Sequence, residues 1–258
     1  MDTRPLGRTG LMVSHVGWGT VKIGRNIDVK FPKPFDLPTD AEACRIIEAM
    51  LDLGITLIDT APAYGLAESR LGQALRGRRD EVVLCTKVGE YWDDGRSRHD
   101  FSGASAESGL HESLKRLGTD AVDVLLVHSD GNDLAIQRDT DLVEAMQRLK
   151  RAGLARSIGM SAKTPEGTAE ALGWADVVMC TYSHADQTHQ QVIRDAAARG
   201  CGVLLKKVLG SGHLDAEAAL RFVLHESPIA ADVSCAVIGS LDPDRMRRNV
   251  AASAQPTE

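Results

Sequence analysis

Four polar side chains stand at or just beyond the ends of apolar runs in this sequence. Asp59, Lys87 and His128 each end such a run, and Tyr64 follows Asp59 by five residues. An aspartate and a lysine on neighbouring strands can pair, which keeps both charged in a partly dehydrated cleft. A lysine held cationic beside Tyr64 favours the phenolate, so we expect the tyrosine pKa to fall from about 10.

A neutral His128 is expected to donate a hydrogen bond to an oxygen at the same place. A phenol, a lysine and a histidine around one oxygen suit a carbonyl group that becomes an alkoxide during reaction. The residue types therefore indicate carbonyl chemistry, provided that the fold brings these side chains together.

The runs that carry these side chains must be parallel strands that end at one edge. Eight runs rich in Val, Ile and Leu are predicted as buried strands. They cover residues 13–19, 55–60, 82–87, 122–128, 155–161, 177–182, 202–207 and 235–239. Amphipathic stretches predicted as helices lie between them, at 41–53, 106–117, 142–151, 187–199 and 216–225.

The repeated order of strand then helix predicts an α/β fold. Eight such units favour a (β/α)8 TIM barrel, and an open doubly wound sheet remains the alternative. Turn signals in the first dozen residues predict an N-terminal β-hairpin that closes the bottom of the barrel. Residues 24–38 are predicted as a loop on the catalytic face, either a wall of the substrate site or a surface insertion. Because no linker interrupts the repeat, we expect one domain over residues 1–258.

Composition excludes several classes of function. The net charge of -6 gives no basic face for nucleic acid, so no nucleic-acid partner is expected. No apolar run reaches the roughly 18 residues of a membrane helix and the first residues lack an export signal, so we expect a cytoplasmic protein without a membrane partner. The five cysteines are widely spaced and form no CxxC pair, which indicates neither a disulfide framework nor a metal site.

The residues around the first two candidates form a longer motif. Asp59, Thr60 and Ala61, followed by Tyr64 and Gly65, resemble the signature of the aldo-keto reductase superfamily. Other matching stretches are Gly17 to Thr20, Thr86-Lys87, Val127-His128, and Val237 to Ser240 with Arg245 and Asn249. The resemblance runs over essentially the whole chain and suggests a bacterial-type member with short loops.

This resemblance implies an oxidoreductase that reduces aldehydes or ketones with NADPH, NADH being possible, and without a metal. It implies a catalytic tetrad of Asp59, Tyr64, Lys87 and His128, with Tyr64 as general acid. The implied cofactor-binding residues are Gly19, Thr20, Ser161, Lys206, Lys207, Gly239, Ser240, Arg245 and Asn249. Among them, Arg245 resembles the arginine that meets the 2′-phosphate of NADPH.

The sequence departs from the family pattern around the nicotinamide. Ala162 and Met179 stand where an asparagine and a glutamine usually hold the ring amide, and Lys206-Lys207 replace the stretch that supplies a stacking tyrosine. Adjacent strand residues face opposite sides, so only one of the two lysines can enter the barrel mouth. We expect Lys206 near the nicotinamide and Lys207 near the pyrophosphate.

Three functions remain open at this point. The first is an NADPH-dependent carbonyl reductase acting on a small molecule, and the second is a cofactor-binding regulatory or scaffold protein on a reductase fold. The third is a barrel enzyme of other chemistry, because one barrel hosts many reactions. Trp18, Tyr91 and Trp92 are candidates for a partial wall of the substrate site, and protein partners cannot be predicted.

Overall fold

The computed structural model describes residues 1, 3–93 and 95–254, so residues 2, 94 and 255–258 of the predicted domain lie outside it. Its strands are β1 (Thr3–Pro5), β2 (Met12–Ser14), β3 (Val16–Gly19), β4 (Leu57–Asp59), β5 (Val83–Val88), β6 (Glu90–Asp93), β7 (Arg96–His99), β8 (Val122–His128), β9 (Ala155–Ser161), β10 (Val177–Thr181), β11 (Gly202–Lys206) and β12 (Cys235–Ile238). Its α-helices are α1 (Asp40–Asp52), α2 (Ala67–Ala74), α3 (Gly103–Leu117), α4 (Asp133–Arg138), α5 (Leu142–Arg151), α6 (Pro165–Ala171), α7 (Gln190–Ala198), α8 (Ala216–Arg221) and α9 (Pro243–Ala252).

Eight of these strands close into a parallel barrel. Around it they follow the order β3, β4, β5, β8, β9, β10, β11 and β12, and β12 pairs with β3 to complete the ring. The predicted (β/α)8 TIM barrel is confirmed, because a closed ring of strands leaves no edge of the kind that an open doubly wound sheet has.

Two strands have the predicted bounds, and most others differ by one or two residues. The prediction of a single strand over 13–19 is wrong, because the chain bends at His15 between β2 and β3. The Ser14 hydroxyl donates to the Val16 carbonyl at 2.7 Å and stabilises this bend. The helix predicted to end at 225 also changes character: α8 ends at Arg221 and continues as one π-helical turn over Phe222–Glu226.

The N-terminal hairpin of β1 and β2 closes the bottom of the barrel, as predicted. Leu6, Leu11 and Val13 belong to the same buried cluster as the side chains that fill the barrel interior. The turn approaches the barrel so closely that a Cβ on Gly7 would lie 2.4 Å from the backbone nitrogen of Gly202. Gly7 also has a φ of +55°, a conformation that suits glycine.

Truncation of the hairpin side chain that enters the barrel should destabilise the whole fold. Leu6 is fully buried, so Leu6→Ala is expected to lower the free energy of unfolding by about 2–5 kcal/mol. Met12 of the same hairpin is 49% exposed, and Met12→Ala should change that energy by less than about 0.5 kcal/mol. Urea denaturation of both variants measures the difference, and equal losses would mean that the hairpin is not part of the core.

Candidate active site

The last inward-facing position at the end of each barrel strand, directly after the strand in the case of β12, lies at the carboxyl-terminal mouth. Side chains alternate along a strand, so a position two residues after a buried interior residue of the barrel also points inward. In order around the ring these positions are Gly19, Asp59, Lys87, His128, Ser161, Thr181, Lys206 and Gly239. This layer therefore contains three of the four predicted catalytic residues, Asp59, Lys87 and His128. It also contains Lys206, one of the two lysines that depart from the family pattern.

An ion pair between β4 and β5 forms the centre of this layer. The Lys87 ammonium lies 2.5 Å from a carboxylate oxygen of Asp59 and donates to the Thr60 carbonyl at 2.9 Å. A third contact, of 3.3 Å, runs from the ammonium to the hydroxyl oxygen of Tyr64. Lys87 is 1% exposed and Asp59 is 4% exposed. The expected pairing of Asp59 with Lys87 is confirmed.

Burial and the Lys87 charge act on the pKa of Tyr64 in opposite directions. Removal of the phenol from water raises the pKa of Tyr64 to about 12, which outweighs the opposing effect of the Lys87 charge. The expectation that Lys87 brings the tyrosine pKa below 10 is therefore wrong. Burial alone would lower the pKa of Lys87, but Asp59, together with Tyr64 and Cys85, outweighs burial and holds that pKa above its ordinary value. At neutral pH the site contains a neutral phenol beside an ammonium.

Tyr64 is positioned by the close packing of two loops. It ends the 3-10 turn Pro62–Tyr64 that follows β4. A Cβ on Gly24 would lie 2.0 Å from the Tyr64 carbonyl oxygen, and a Cβ on Gly65 would lie 2.4 Å from the Gly24 carbonyl oxygen. The Arg25 guanidinium, 7% exposed, donates to the Ala63 carbonyl at 3.0 Å. Glycine at both contact points allows the loop after β3 to hold the tyrosine turn in place.

His128 lies beside both the tyrosine and a carboxylate that the sequence analysis did not single out. The rings of His128 and Tyr64 meet edge to face with centroids 6.0 Å apart. Nδ1 of His128 lies 3.0 Å from Oε2 of Glu90. Burial lowers the pKa of His128, and Glu90 opposes this shift. Burial alone would raise the pKa of Glu90. The contacts of Glu90 with His128 and Ser97 outweigh burial and lower that pKa to about 2.

Glu90 begins a hairpin of β6 and β7 that interrupts the predicted alternation. Gly89, with a φ of +102°, turns the chain out of β5 and into this hairpin. Arg25 contacts the hairpin as well, since its guanidinium lies 3.5 Å from the centroid of the Trp92 ring and 3.8 Å from Glu90. A charged residue directly after a glycine at the end of an active-site strand is the signal that could have identified Glu90.

The residues predicted as a wall of the substrate site lie in different environments. Trp18 is fully buried on the helix side of β3, where its indole N–H donates to the Ser240 carbonyl. Tyr91 packs against α3 and donates to the Ser105 carbonyl at 2.9 Å. Trp92 contacts the loop at residues 24–38 through the Arg25 guanidinium. That loop also reaches the opposite side of the mouth, where Pro32 lies beside Gly212.

Of the two adjacent lysines, Lys206 is the one that enters the barrel. Its ammonium donates to the Ser161 hydroxyl and to the Ala162 carbonyl, both at 2.7 Å. Burial lowers the pKa of Lys206 to about 7, and the nearby charges of Lys207 and Lys87 act in the same direction. Lys207 is exposed and has a φ of +57°, which ends β11 and turns its side chain away from the interior.

The remaining predicted cofactor residues lie at the ends of β3 and β12 and on α9. Gly19 and Gly239 occupy neighbouring positions in the top layer, and a Cβ on Gly239 would lie 3.3 Å from the Gly19 carbonyl oxygen. The Thr20 hydroxyl donates to the Asp59 carbonyl at 3.0 Å. The Ser240 hydroxyl bonds to the backbone of residue 242 at the start of α9. On that helix Arg245 is exposed, whereas Asn249 is buried.

The described residues also bear on metal binding and membrane insertion. Among residues 1, 3–93 and 95–254, no group of three or more His, Cys, Asp or Glu side chains is placed to hold a metal ion. Within the same ranges no helix has the length and apolar character needed to cross a bilayer.

Comparison with known proteins assigns the family. Residues 16–219 match the family model described as the Aldo/keto reductase family. This chain belongs to that family. L-galactose dehydrogenase of Arabidopsis thaliana is 30% identical over 232 residues, which cover 83% of this chain and 67% of the plant protein. NADH-specific methylglyoxal reductase of Escherichia coli is 32% identical over 206 residues, which cover 72% of this chain and 60% of that protein.

A solved structure extends the likeness over nearly the whole aldo-keto reductase barrel. A Pseudomonas aeruginosa protein assigned to the aldo-keto reductases superposes with a TM-score of 0.88 and 42% sequence identity, covering 97% of this chain and 93% of that one. Members of the family use nicotinamide cofactors, and this chain is an NAD(P)H-dependent oxidoreductase of that class.

Removal of the Glu90 charge should shift the titration of His128. Because Glu90 raises the His128 pKa against the effect of burial, Glu90→Gln is expected to lower that pKa further. An NMR titration of the imidazole resonances measures the shift. Asp93→Asn, which removes an exposed carboxylate paired with Arg98 on the same hairpin, is the control and should leave the His128 pKa unchanged. An unaltered pKa in Glu90→Gln would show that the two side chains do not interact in solution.

Proposed function

We propose that this protein reduces an aldehyde or ketone to the alcohol with NADPH, and that Tyr64 gives the proton to the carbonyl oxygen. The observation that carries the proposal is the buried Lys87 ammonium, which is paired with Asp59 and directed at the Tyr64 hydroxyl oxygen. We also infer that the chain acts as one cytoplasmic domain over residues 1–258 on a small-molecule carbonyl compound.

The direction of the hydrogen bond between Lys87 and Tyr64 supports the acid role. The ammonium donates and the phenol oxygen accepts, so the phenol proton is free to be donated elsewhere. Its pKa of about 12 keeps Tyr64 protonated at neutral pH, as a general acid must be before it reacts. As the proton leaves, the adjacent ammonium stabilises the phenolate that forms.

His128 has a supporting part in this scheme. The Glu90 carboxylate beside Nδ1 favours a neutral ring with its proton on that nitrogen, which leaves Nε2 as an acceptor. A neutral His128 would then not donate to the carbonyl oxygen as the sequence alone had led us to expect. We assign it instead to holding the position of the Tyr64 ring through their edge-to-face contact.

The mouth of the barrel fits a nicotinamide dinucleotide in shape and charge. A bound nicotinamide cofactor supplies the hydride that carbonyl reduction requires. Gly19 and Gly239 place no side chain in the top layer, which leaves a flat backbone surface beside Asp59. Cationic side chains lie around this gap. Lys206 ends β11 and Lys207 follows it. Arg245 lies close enough to Lys22 for its charge to add to the effect of burial in lowering the Lys22 pKa. Such clustered cations favour a ligand that carries phosphates.

Loss of the Tyr64 hydroxyl should remove turnover and leave cofactor binding nearly unchanged. General acids contribute roughly 10²–10⁴-fold, so Tyr64→Phe is expected to lower kcat by about that factor. Tyr91→Phe removes a hydroxyl that bonds to the Ser105 carbonyl outside the barrel mouth and serves as the matched control. NADPH oxidation with an aldehyde panel measures activity, and fluorescence titration measures NADPH affinity. More than about a tenth of wild-type activity in Tyr64→Phe would assign the acid role to another group.

A second prediction concerns the choice between NADPH and NADH. We propose that Arg245, which is 65% exposed, contacts the 2′-phosphate that only NADPH carries. Arg245→Ala should therefore weaken NADPH binding far more than NADH binding. Arg247→Ala is the control, because Arg247 lies on the same helix and pairs with Asp244. Equal weakening for both cofactors in Arg245→Ala would show that this arginine does not recognise the phosphate.

One observation favours a second candidate, a cofactor-binding regulatory or scaffold protein. Lys206 already bonds to Ser161 and to the backbone at Ala162, where the family pattern places groups that hold the nicotinamide. Tight binding of NADPH with no turnover on aldehydes or quinones would support this candidate over the reductase.

A further inference from the structure

Lys206 differs from Lys87 in the partners of its ammonium. Lys87 pairs with Asp59, whereas no carboxylate among the described residues lies within 4.0 Å of the Lys206 ammonium. Its partners are a serine hydroxyl and a backbone carbonyl, neither of which carries a charge. A buried lysine without a counter-ion loses its proton more easily, which is how proteins obtain nucleophilic lysines.

The titratable and charged groups near Lys206 come from several elements. Lys207 adjoins it on the chain, Cys180 lies on the neighbouring β10, Lys87 lies across the mouth on β5, Asp133 begins α4, and His189 precedes α7. Burial has the largest effect, and the two lysines add to it. Cys180 and Asp133 oppose the shift but do not cancel it, so the pKa of Lys206 is about 7. About half of the amine is then uncharged at neutral pH.

The position of the amine allows a substrate to reach it. Lys206 is the last residue of β11 and its side chain is only partly buried at the open end of the barrel. Active sites of (β/α)8 barrels lie at this end. Ser161, whose hydroxyl lies 2.7 Å from Nζ, provides an oxygen that can accept and return a proton.

We infer that Lys206 is a nucleophilic lysine that condenses with small aldehydes to form an imine. The amine lone pair attacks the carbonyl carbon, a C–N bond forms, and the first amine proton passes to the carbonyl oxygen to give a carbinolamine. That hydroxyl then leaves as water with the second amine proton, and a C=N bond to Nζ remains. No oxidant or reductant takes part, so the reaction goes beyond the proposed reduction and does not depend on a nicotinamide cofactor.

Reductive trapping tests this inference in the intact protein. Wild-type protein is mixed with propionaldehyde and sodium cyanoborohydride near pH 7 without NADPH, and the propylated lysines are located by tandem mass spectrometry. We expect early modification of Lys206 to exceed that of its exposed neighbour Lys207 and of the exposed Lys33 and Lys163 by at least about tenfold. This advantage should shrink as the pH rises to about 10, because ordinary lysines then also lose their protons.

Two variants locate the reaction. Lys206→Arg keeps a cation at the position but removes the nucleophilic amine, so it should abolish the fast modification, whereas Lys33→Met, which removes an exposed lysine, should retain it. Circular dichroism spectra that match that of the wild-type protein show that each variant is folded. Modification of Lys206 at the rate of the exposed lysines at pH 7, or an advantage that does not change with pH, would overturn the inference. Because NADPH is absent, the outcome is independent of whether the protein reduces carbonyl compounds.

Discussion

The buried ion pair of Asp59 and Lys87 is the constraint on which the upper half of the barrel depends. A lysine that is 1% exposed requires a carboxylate partner, because removal of one member of a buried pair costs about 3–5 kcal/mol. Pairing of β4 with β5 places Asp59 opposite Cys85, two residues before Lys87. The pair fixes the ammonium, and the ammonium in turn meets the Tyr64 hydroxyl. The close packing of Gly24 against the tyrosine turn then completes the arrangement from the opposite side.

Two lysines of the same layer show how counter-ions set chemical behaviour. Both point inward at the ends of barrel strands, Lys87 fully buried and Lys206 partly buried. Asp59 holds the pKa of Lys87 above its ordinary value, whereas Lys206 has only neutral oxygen partners and its pKa falls to about 7. In our proposals one lysine is therefore a fixed cation beside Tyr64 that assists proton transfer, and the other is available as an amine. Sequence alone does not distinguish them, because each follows a similar apolar run.

The sequence predicted the parts of the fold that repeat. The bounds of β8 and β9 and the convergence of Asp59, Lys87 and His128 follow from continuous apolar runs with a polar end. The prediction failed where one apolar run crosses a bend, as at His15 between β2 and β3. The sequence analysis missed the β6–β7 hairpin because its charged residues follow neither the pattern of a buried strand nor that of an amphipathic helix. The Tyr64 pKa was predicted in the wrong direction, since residue spacing reports neighbours but not the depth of burial.

The central claim is that this layer of the barrel directs a hydride to a carbonyl carbon and a proton from Tyr64 to its oxygen. The most direct measurement uses NADPH deuterated at the transferring C4 position, with an aldehyde as acceptor and mass spectrometry of the alcohol. The account predicts one deuterium on the former carbonyl carbon for wild-type protein and no labelled alcohol above background for Tyr64→Phe. Bound NADPH that is never consumed by wild-type protein, or an alcohol formed without deuterium, would contradict it.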